Sequence, residues 1–264
     1  MNRIAVLVDF TPVCTKAVEF GNEIAGRTGS ELVLVHVAES FAEDRKAVQS
    51  KLDSLSLAVD DSVKVSSHIG EGSFFSVIPE VINELGADLV VVPTHGKVGI
   101  MQNLFGANIL KLVKSLPVPS LVVQSSSQID KPGFSKLLFP VGPHDDFNVK
   151  YEQTAAFAKV FKSTVQIYTV RNDIRGIPEK LRRNIAASKD HFSSQGVKFE
   201  EVTEEPTGFS VGYAKFILDY ATKSGSNVIC IMAKVSDDNG YIGNTDKENI
   251  ILNPTGIPVF CANC

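Results

Sequence analysis

Apolar residues come in short runs separated by stretches of helical period, and this alternation repeats along the chain. Ile4–Val8 is five consecutive apolar residues, the pattern of a strand buried on both faces of a parallel sheet. Thr11-Pro12 predicts a helix start, with threonine as cap and proline in the first turn. Val18, Gly21, Ile24 and Ala25 then share one helical face, and Gly29 ends the helix. Leu32–Val37 predicts the second strand, residues 40–57 a helix, and Val63–His68 the third strand. The next helix runs to Leu85 before Gly86, with Pro79 either opening or kinking it. Asp88–Val92, a short helix over Asn108–Ser115 and Ser120–Val123 complete the series. Strands spaced by helices predict βαβ units and a doubly wound parallel sheet.

The series occurs twice. Val33–Val37 (VLVHV) has a counterpart 133 residues later in Gln166–Val170 (QIYTV), and the same offset sets Ile4–Asp9 against Leu137–Gly142. Asp88–Val92 matches Asn227–Ile231 at an offset of 139, which Pro119 and Pro258 share. Two consistent offsets predict a six-residue insertion in the second copy. The polar stretch Gln124–Gly133 suits a linker. The expected fold is therefore α/β, with two tandem, five-stranded, doubly wound parallel-sheet domains over residues 1–124 and 134–264. The expected arrangement is an intramolecular pseudo-dimer whose two final strands pair, Val122 beside Phe260.

Length agrees with this count, since 264 residues make two medium domains. No apolar run approaches the ~18 residues of a membrane span. Residues 1–130 carry 10 basic and 15 acidic side chains and the remainder 16 and 15, so neither half has a nucleic-acid footprint. Cys14, Cys230, Cys261 and Cys264 have no regular spacing and fit a reduced cytoplasmic compartment better than a disulfide framework.

Ligands of such sheets sit beyond the carboxyl ends of the strands, at the switch point. Two segments lie there in the first copy: Val8-Asp9-Phe10-Thr11, and Val92-Pro93-Thr94-His95-Gly96 followed after nine residues by Gly106-Ala107-Asn108. With the strand ending His36-Val37, the phrase Gly86–Gly96 (GADLVVVPTHG) and the closing Pro117–Val123 (PVPSLVV), this copy resembles the universal stress protein family. The likeness is weaker over residues 136–262. It implies a Rossmann-like domain of the adenine nucleotide alpha hydrolase-like kind, a stress-response role and, in nucleotide-binding members, a Gly-x-x-Gly, nine residues, Gly-Ser/Thr loop that holds ATP. Glycines let the backbone close on an anion, and the last pair opens a helix whose free N–H groups face phosphate.

Asp9, Val37, Gly96 and Gly106 fall on the family's positions for binding adenine nucleotide. Pro93 replaces the first glycine and Ala107 the hydroxyl residue. A lost hydroxyl contact to charged phosphate costs about 1.5–3 kcal/mol. In the second copy Gly142 takes the place of Asp9, and Met232–Asp238 keeps no glycine pair. That copy is expected to serve as structural partner, with Gly240 and Gly243 in loop turns. His95, Lys97 and Lys234 are read as solvated loop residues. The Cys261-x-x-Cys264 spacing ends the chain after a strand, where no helix N-terminus activates it, and two cysteines fall short of a zinc site.

No nucleophile elbow, zinc helix or Walker loop is present, so no catalytic residue and no metal are assigned. The leading expectation is a cytoplasmic stress-response protein with ATP or another adenine nucleotide as regulatory ligand and at most slow hydrolysis. The alternative is a non-nucleotide scaffold whose paired copies bind a protein or other small ligand. Neither nucleic acid nor membrane is an expected partner, and a homodimer of whole chains is left open.

Overall fold

The computed structural model describes residues 1–38, 44–95, 108–129, 133–170, 177–205, 212–234 and 242–263. The first five strands are β1 (Arg3–Leu7), β2 (Glu31–Ala38), β3 (Val65–Glu71), β4 (Leu89–Thr94) and β5 (Ser120–Gln124). Helices α1 (Val13–Thr28), α2 (Arg45–Ser56), α3 (Phe74–Leu85) and α4 (Ile109–Ser115) connect them. The second set comprises β6 (Lys136–Pro140), α5 (Phe147–Phe161), β7 (Thr164–Val170), α6 (Glu179–Ser194), β8 (Lys198–Glu204), α7 (Tyr213–Ser224), β9 (Val228–Met232), α8 (Asn244–Ile251) and β10 (Val259–Ala262).

All ten strands join one sheet in the order β3-β2-β1-β4-β5-β10-β9-β6-β7-β8. Every neighbouring pair is parallel except β5 and β10. The chain is thus two tandem doubly wound units with one antiparallel seam. The carboxyl ends of the strands in one unit consequently point opposite to those of the other. Alternate strand residues feed two cores: Ile4, Val6 and Val8 pack with α1, α2, α5 and α6, while Ala5 and Leu7 pack with α3, α4, α7 and α8. Burial on both faces explains the unbroken apolar runs. Gly21 permits the close approach of α1, since a Cβ there would lie 2.6 Å from Val6 Cγ2.

The repeat offsets have a structural basis. Two residues link β3 to α3, whereas eight link β8 to α7, which places the six-residue insertion in that connection. Some local expectations shift. The third strand starts at Val65, because Asp60 closes a turn by accepting Ser62 N–H at 2.8 Å and Val63 N–H at 2.9 Å. Val63 is buried from that turn without pairing. Pro79 neither opens nor ends its helix but lies inside α3. Thr11 does not cap α1 with its side chain; its hydroxyl turns back to Asp9.

At the seam Val122 faces Val259 and Leu121 faces Phe260, one residue away from the expected Val122–Phe260 pair. Phe134 anchors one face, with ring centroids 5.7 Å from Phe20, 5.6 Å from Phe157 and 4.7 Å from Phe161. On the other face Asn263 Nδ2 donates to Val113 O at 2.7 Å and Leu116 O at 2.5 Å. Gln124 Nε2 returns the exchange, donating to Ile251 O at 3.1 Å and Asn253 O at 3.0 Å. These carbonyls are helix ends that would otherwise be buried unsatisfied. Replacing Asn263 by alanine is expected to destabilise the chain by about 2–4 kcal/mol in urea denaturation, since two buried acceptors lose their donor. A loss below about 0.5 kcal/mol, the level of an ordinary surface change, would remove Asn263 from the seam's main contacts.

Candidate functional site

Strand register brings the residues singled out from sequence onto one line. Val37 pairs with Gly70, and Thr94 pairs with Gln124. Leu7 pairs with Val35 and Val6 with Val91, so continuing both ladders sets Asp9 level with Val37 on one side and Thr94 on the other. The row Gly70, Val37, Asp9, Thr94, Gln124 therefore lies across the carboxyl edge of the first unit. The β1–β4 ladder ends at Val6 and Val91, while β4 stays paired with β5 through Thr94. The ends of β1 and β4 are the switch point of the sheet, the position at which folds of this kind take ligands, and Pro93 supplies no N–H there. Gly70 keeps the row compact, because a Cβ there would lie 2.8 Å from Val77 Cγ1 and 3.4 Å from Val37 Cγ2.

Asp9 is held by a tight turn. Phe10 takes φ 59°, a left-handed conformation rare for a bulky residue. Its ring is fixed against His36, with centroids 4.5 Å apart, and lies 5.0 Å from Lys51 Nζ. The turn brings Thr11 N–H to 3.0 Å and Thr11 Oγ1 to 2.6 Å from Asp9 Oδ1, and Cys14 Sγ donates to the same oxygen at 2.9 Å. Burial, then the adjacent Asp9 carboxylate, pushes the Cys14 thiol up to about 12. Among the described residues Asp9 Oδ2, which is buried, has no hydrogen-bond partner. Thr94 Oγ1, in a fully buried side chain, has none either.

Of the sequence-predicted residues, Asp9 and Val37 thus lie level at the carboxyl edge of the first unit. Gly96, Gly106, Lys97 and Ala107 lie outside the described residues, as do Gly240 and Cys264. Lys234 is exposed. Cys261 is buried in β10 opposite Ser120, and burial pushes its thiol up to about 12, the reverse of redox activation. Among the described residues no three His, Cys, Asp or Glu side chains gather where they could hold a metal ion. Thr94 was not singled out from sequence, although a hydroxyl residue closing an otherwise apolar strand is a visible signal.

The second unit repeats the row with other chemistry. Its register runs Glu204, Val170, Gly142, Ala233, Asn263, so the offsets of 133 and 139 carry Asp9 to Gly142 and Thr94 to Ala233. Here the strand ends are bound by side chains. Asn184 Nδ2 donates to Gly142 O at 2.9 Å and His144 O at 2.8 Å. Lys150 Nζ donates to Pro140 O, and Lys247 Nζ to Ala233 O at 3.1 Å. Both lysines are 2% exposed. Lys150 sits in the apolar stripe Phe147, Thr154, Phe157, Phe161 of α5, a spacing that marks it for burial from sequence alone.

Burial drives the Lys150 ammonium from 10.5 down to about 7. Between those values the unfolded chain holds a proton that the folded chain lacks, so stability rises with pH by about 1.4 kcal/mol per unit. Cys14, Cys230 and Cys261, raised from 9.0 to about 12, act in the opposite sense above pH 9. Urea denaturation at pH values from about 7 to 9 is expected to show this rise in the native chain and its loss in Lys150→Met. Equal slopes in both would mean that Lys150 is charged throughout.

The model of the universal stress protein family matches residues 1–124. A universal stress protein from Archaeoglobus fulgidus superposes with a TM-score of 0.72 at 12% identity, over 99% of this chain and 96% of that one. A functionally unknown protein from Pseudomonas aeruginosa gives 0.66 at 16% identity, over 100% and 92%. At such identities the superpositions speak for the fold alone. No curated protein matches the chain by sequence. Residues 1–124 thus match the universal stress protein family in sequence, and the second unit repeats the fold of the first, as in a tandem pair of such domains.

Proposed function

We propose that the chain is a stress-response protein whose first unit, residues 1–124, binds an adenine nucleotide such as ATP as a regulatory ligand. The second unit, residues 134–264, is its packing partner. The observation that carries this reading is the pair of buried oxygens, Asp9 Oδ2 and Thr94 Oγ1, that have no partner among the described residues and stand at the ends of β1 and β4. A buried acceptor without a donor is costly, and a ligand bearing N–H or O–H groups relieves it. Asp9 would accept from the adenine or ribose, Thr94 would bond a polar ligand atom, and Val37 would flank the base. Gly96 and Gly106 would offer backbone N–H groups to phosphate. Pro93 removes one such donor, so binding is weaker than with the full glycine motif. The first unit is the more acidic half of the chain, so the anion is held by local N–H groups rather than by bulk attraction. The role is binding; no residue is assigned to catalysis.

A scaffold reading has its own support in the β5–β10 seam, which joins both units into one sheet. Calorimetry separates the two. The native chain is expected to bind ATP below about 1 mM, and Asp9→Ala to weaken it about tenfold or more, the worth of a hydrogen bond to a charged group. An absence of binding at millimolar ATP would overturn the nucleotide reading and leave the scaffold.

A further inference from the structure

The amino ends of β7 and β8, opposite to the strand ends described above, carry charge that the first unit lacks. A pocket of about 290 Å³ lies there, between the last turn of α5, the turn Gly196-Val197 after α6 and the start of β8. Lys159, Lys162 and Lys198 line it, and no Asp or Glu does so among the described residues. All three lysines are exposed. Lys159 Nζ donates to Gln195 Oε1 at 2.6 Å, which uses one of its three donors. The side chains of Lys162 and Lys198 have no hydrogen bond or ion pair among the described residues.

The first unit shows what has changed. The offset of 133 carries Lys159 to Gly26, Lys162 to Gly29 and Thr164 to Glu31. The backbone agrees, since Ser30 N–H donates to Ala25 O and Ser163 N–H to Ala158 O. Lys198 pairs with Thr164, just as Lys64 stands beside Glu31 in a register that pairs Leu32 with Val65. In the first unit Glu31 holds both Arg3, at 3.0 Å, and Lys64, at 3.4 Å. Thr164 replaces that carboxylate in the second unit, so Lys198 loses its counterion. Glu200, on the same strand, instead accepts from Gln166 Nε2 at 2.6 Å. One paired lysine beside two glycines has thus become three lysines without a carboxylate. Lys162 even keeps the left-handed conformation of its glycine counterpart, φ 53° against 67° at Gly29.

Lysines near helix C-termini commonly offset the helix dipole. Magnitudes decide how far that accounts for these three. Helices α5 and α6 both end at the pocket, each with about half a negative charge, so together they offset about one ammonium group of the three. About two positive charges remain for a guest. The volume lies near the ~300 Å³ lower end of small-ligand sites and takes a group of several heavy atoms. We propose that this pocket binds a small multivalent oxyanion of the diphosphate class, held by Lys159, Lys162 and Lys198. The site lies in the other unit from Asp9 and does not depend on nucleotide binding there.

The test is calorimetry of the full chain with inorganic pyrophosphate and with inorganic phosphate, at neutral pH and constant ionic strength. Pyrophosphate is expected to bind about tenfold tighter than phosphate or better, because its second phosphoryl group adds charge-assisted hydrogen bonds. Lys162→Gln combined with Lys198→Gln should weaken pyrophosphate about tenfold or more. Both side chains are exposed, so the double variant keeps its fold. Lys46→Gln combined with Lys223→Gln removes the same charge from exposed positions outside the pocket and should leave the affinity unchanged. No binding at millimolar pyrophosphate, phosphate bound as tightly, undiminished affinity in the first double variant, or an equal loss in the second would each overturn the proposal.

Discussion

The structure hangs on the antiparallel meeting of β5 and β10. Each unit, folded alone, would end in a short apolar strand whose outer N–H and C=O groups had no partner. Ser120–Gln124 and Val259–Ala262 are buried along their whole lengths. An edge of that composition is a liability in water, and its simplest remedy here is the corresponding edge of the second unit. The seam also carries obligations beyond the ladder. The rings around Phe134 cover one face, while Gln124 and Asn263 satisfy helix-end carbonyls of the opposite unit across the other. Because these groups belong to different units, neither can be fully satisfied without the other.

The antiparallel sense of that pairing determines where chemistry can occur. Each unit presents the carboxyl ends of its strands at one edge of the sheet, and the two edges face opposite ways. Ligands at the two would therefore be separated by the sheet itself. This geometry permits the copies to diverge: the first keeps an acidic turn and two buried oxygens without partners among the described residues, while the second fills the same row with side chains from α5, α6 and α8. Lys150 and Lys247 stand at the ends of β6 and β9 in the second unit. The two units thus share one strand order while their strand ends carry different chemistry.

Much of this was legible in the residues. The doubly apolar runs predicted a sheet covered on both faces, Gly29 and Gly86 predicted helix ends that the chain adopts with positive φ, and the paired offsets predicted duplication. Errors arose where a local rule met a stronger tertiary demand. Val63 reads as strand because it is apolar, but the Asp60 turn takes its backbone while the core takes its side chain. Thr11 reads as a cap, yet the left-handed turn at Phe10 brings Asp9 within reach of its hydroxyl first.

Periodicity and repeat, which need only the nearest few residues and a constant offset, determined the fold class, the number of units and the placement of Asp9 and Val37 at strand ends. Register across strands decided the rest, since it depends on residues distant in the chain. It set Asp9 level with Thr94, moved the seam by one residue from the expected pairing, and left one oxygen of Asp9 and the hydroxyl of Thr94 without partners among the described residues. It also brought two lysines from helices nearly a hundred residues apart to one cavity, 150 against 247 in the chain. A lysine in an apolar stripe can be seen in sequence to be buried; what it is buried beside is a matter of how two helices cross the same sheet.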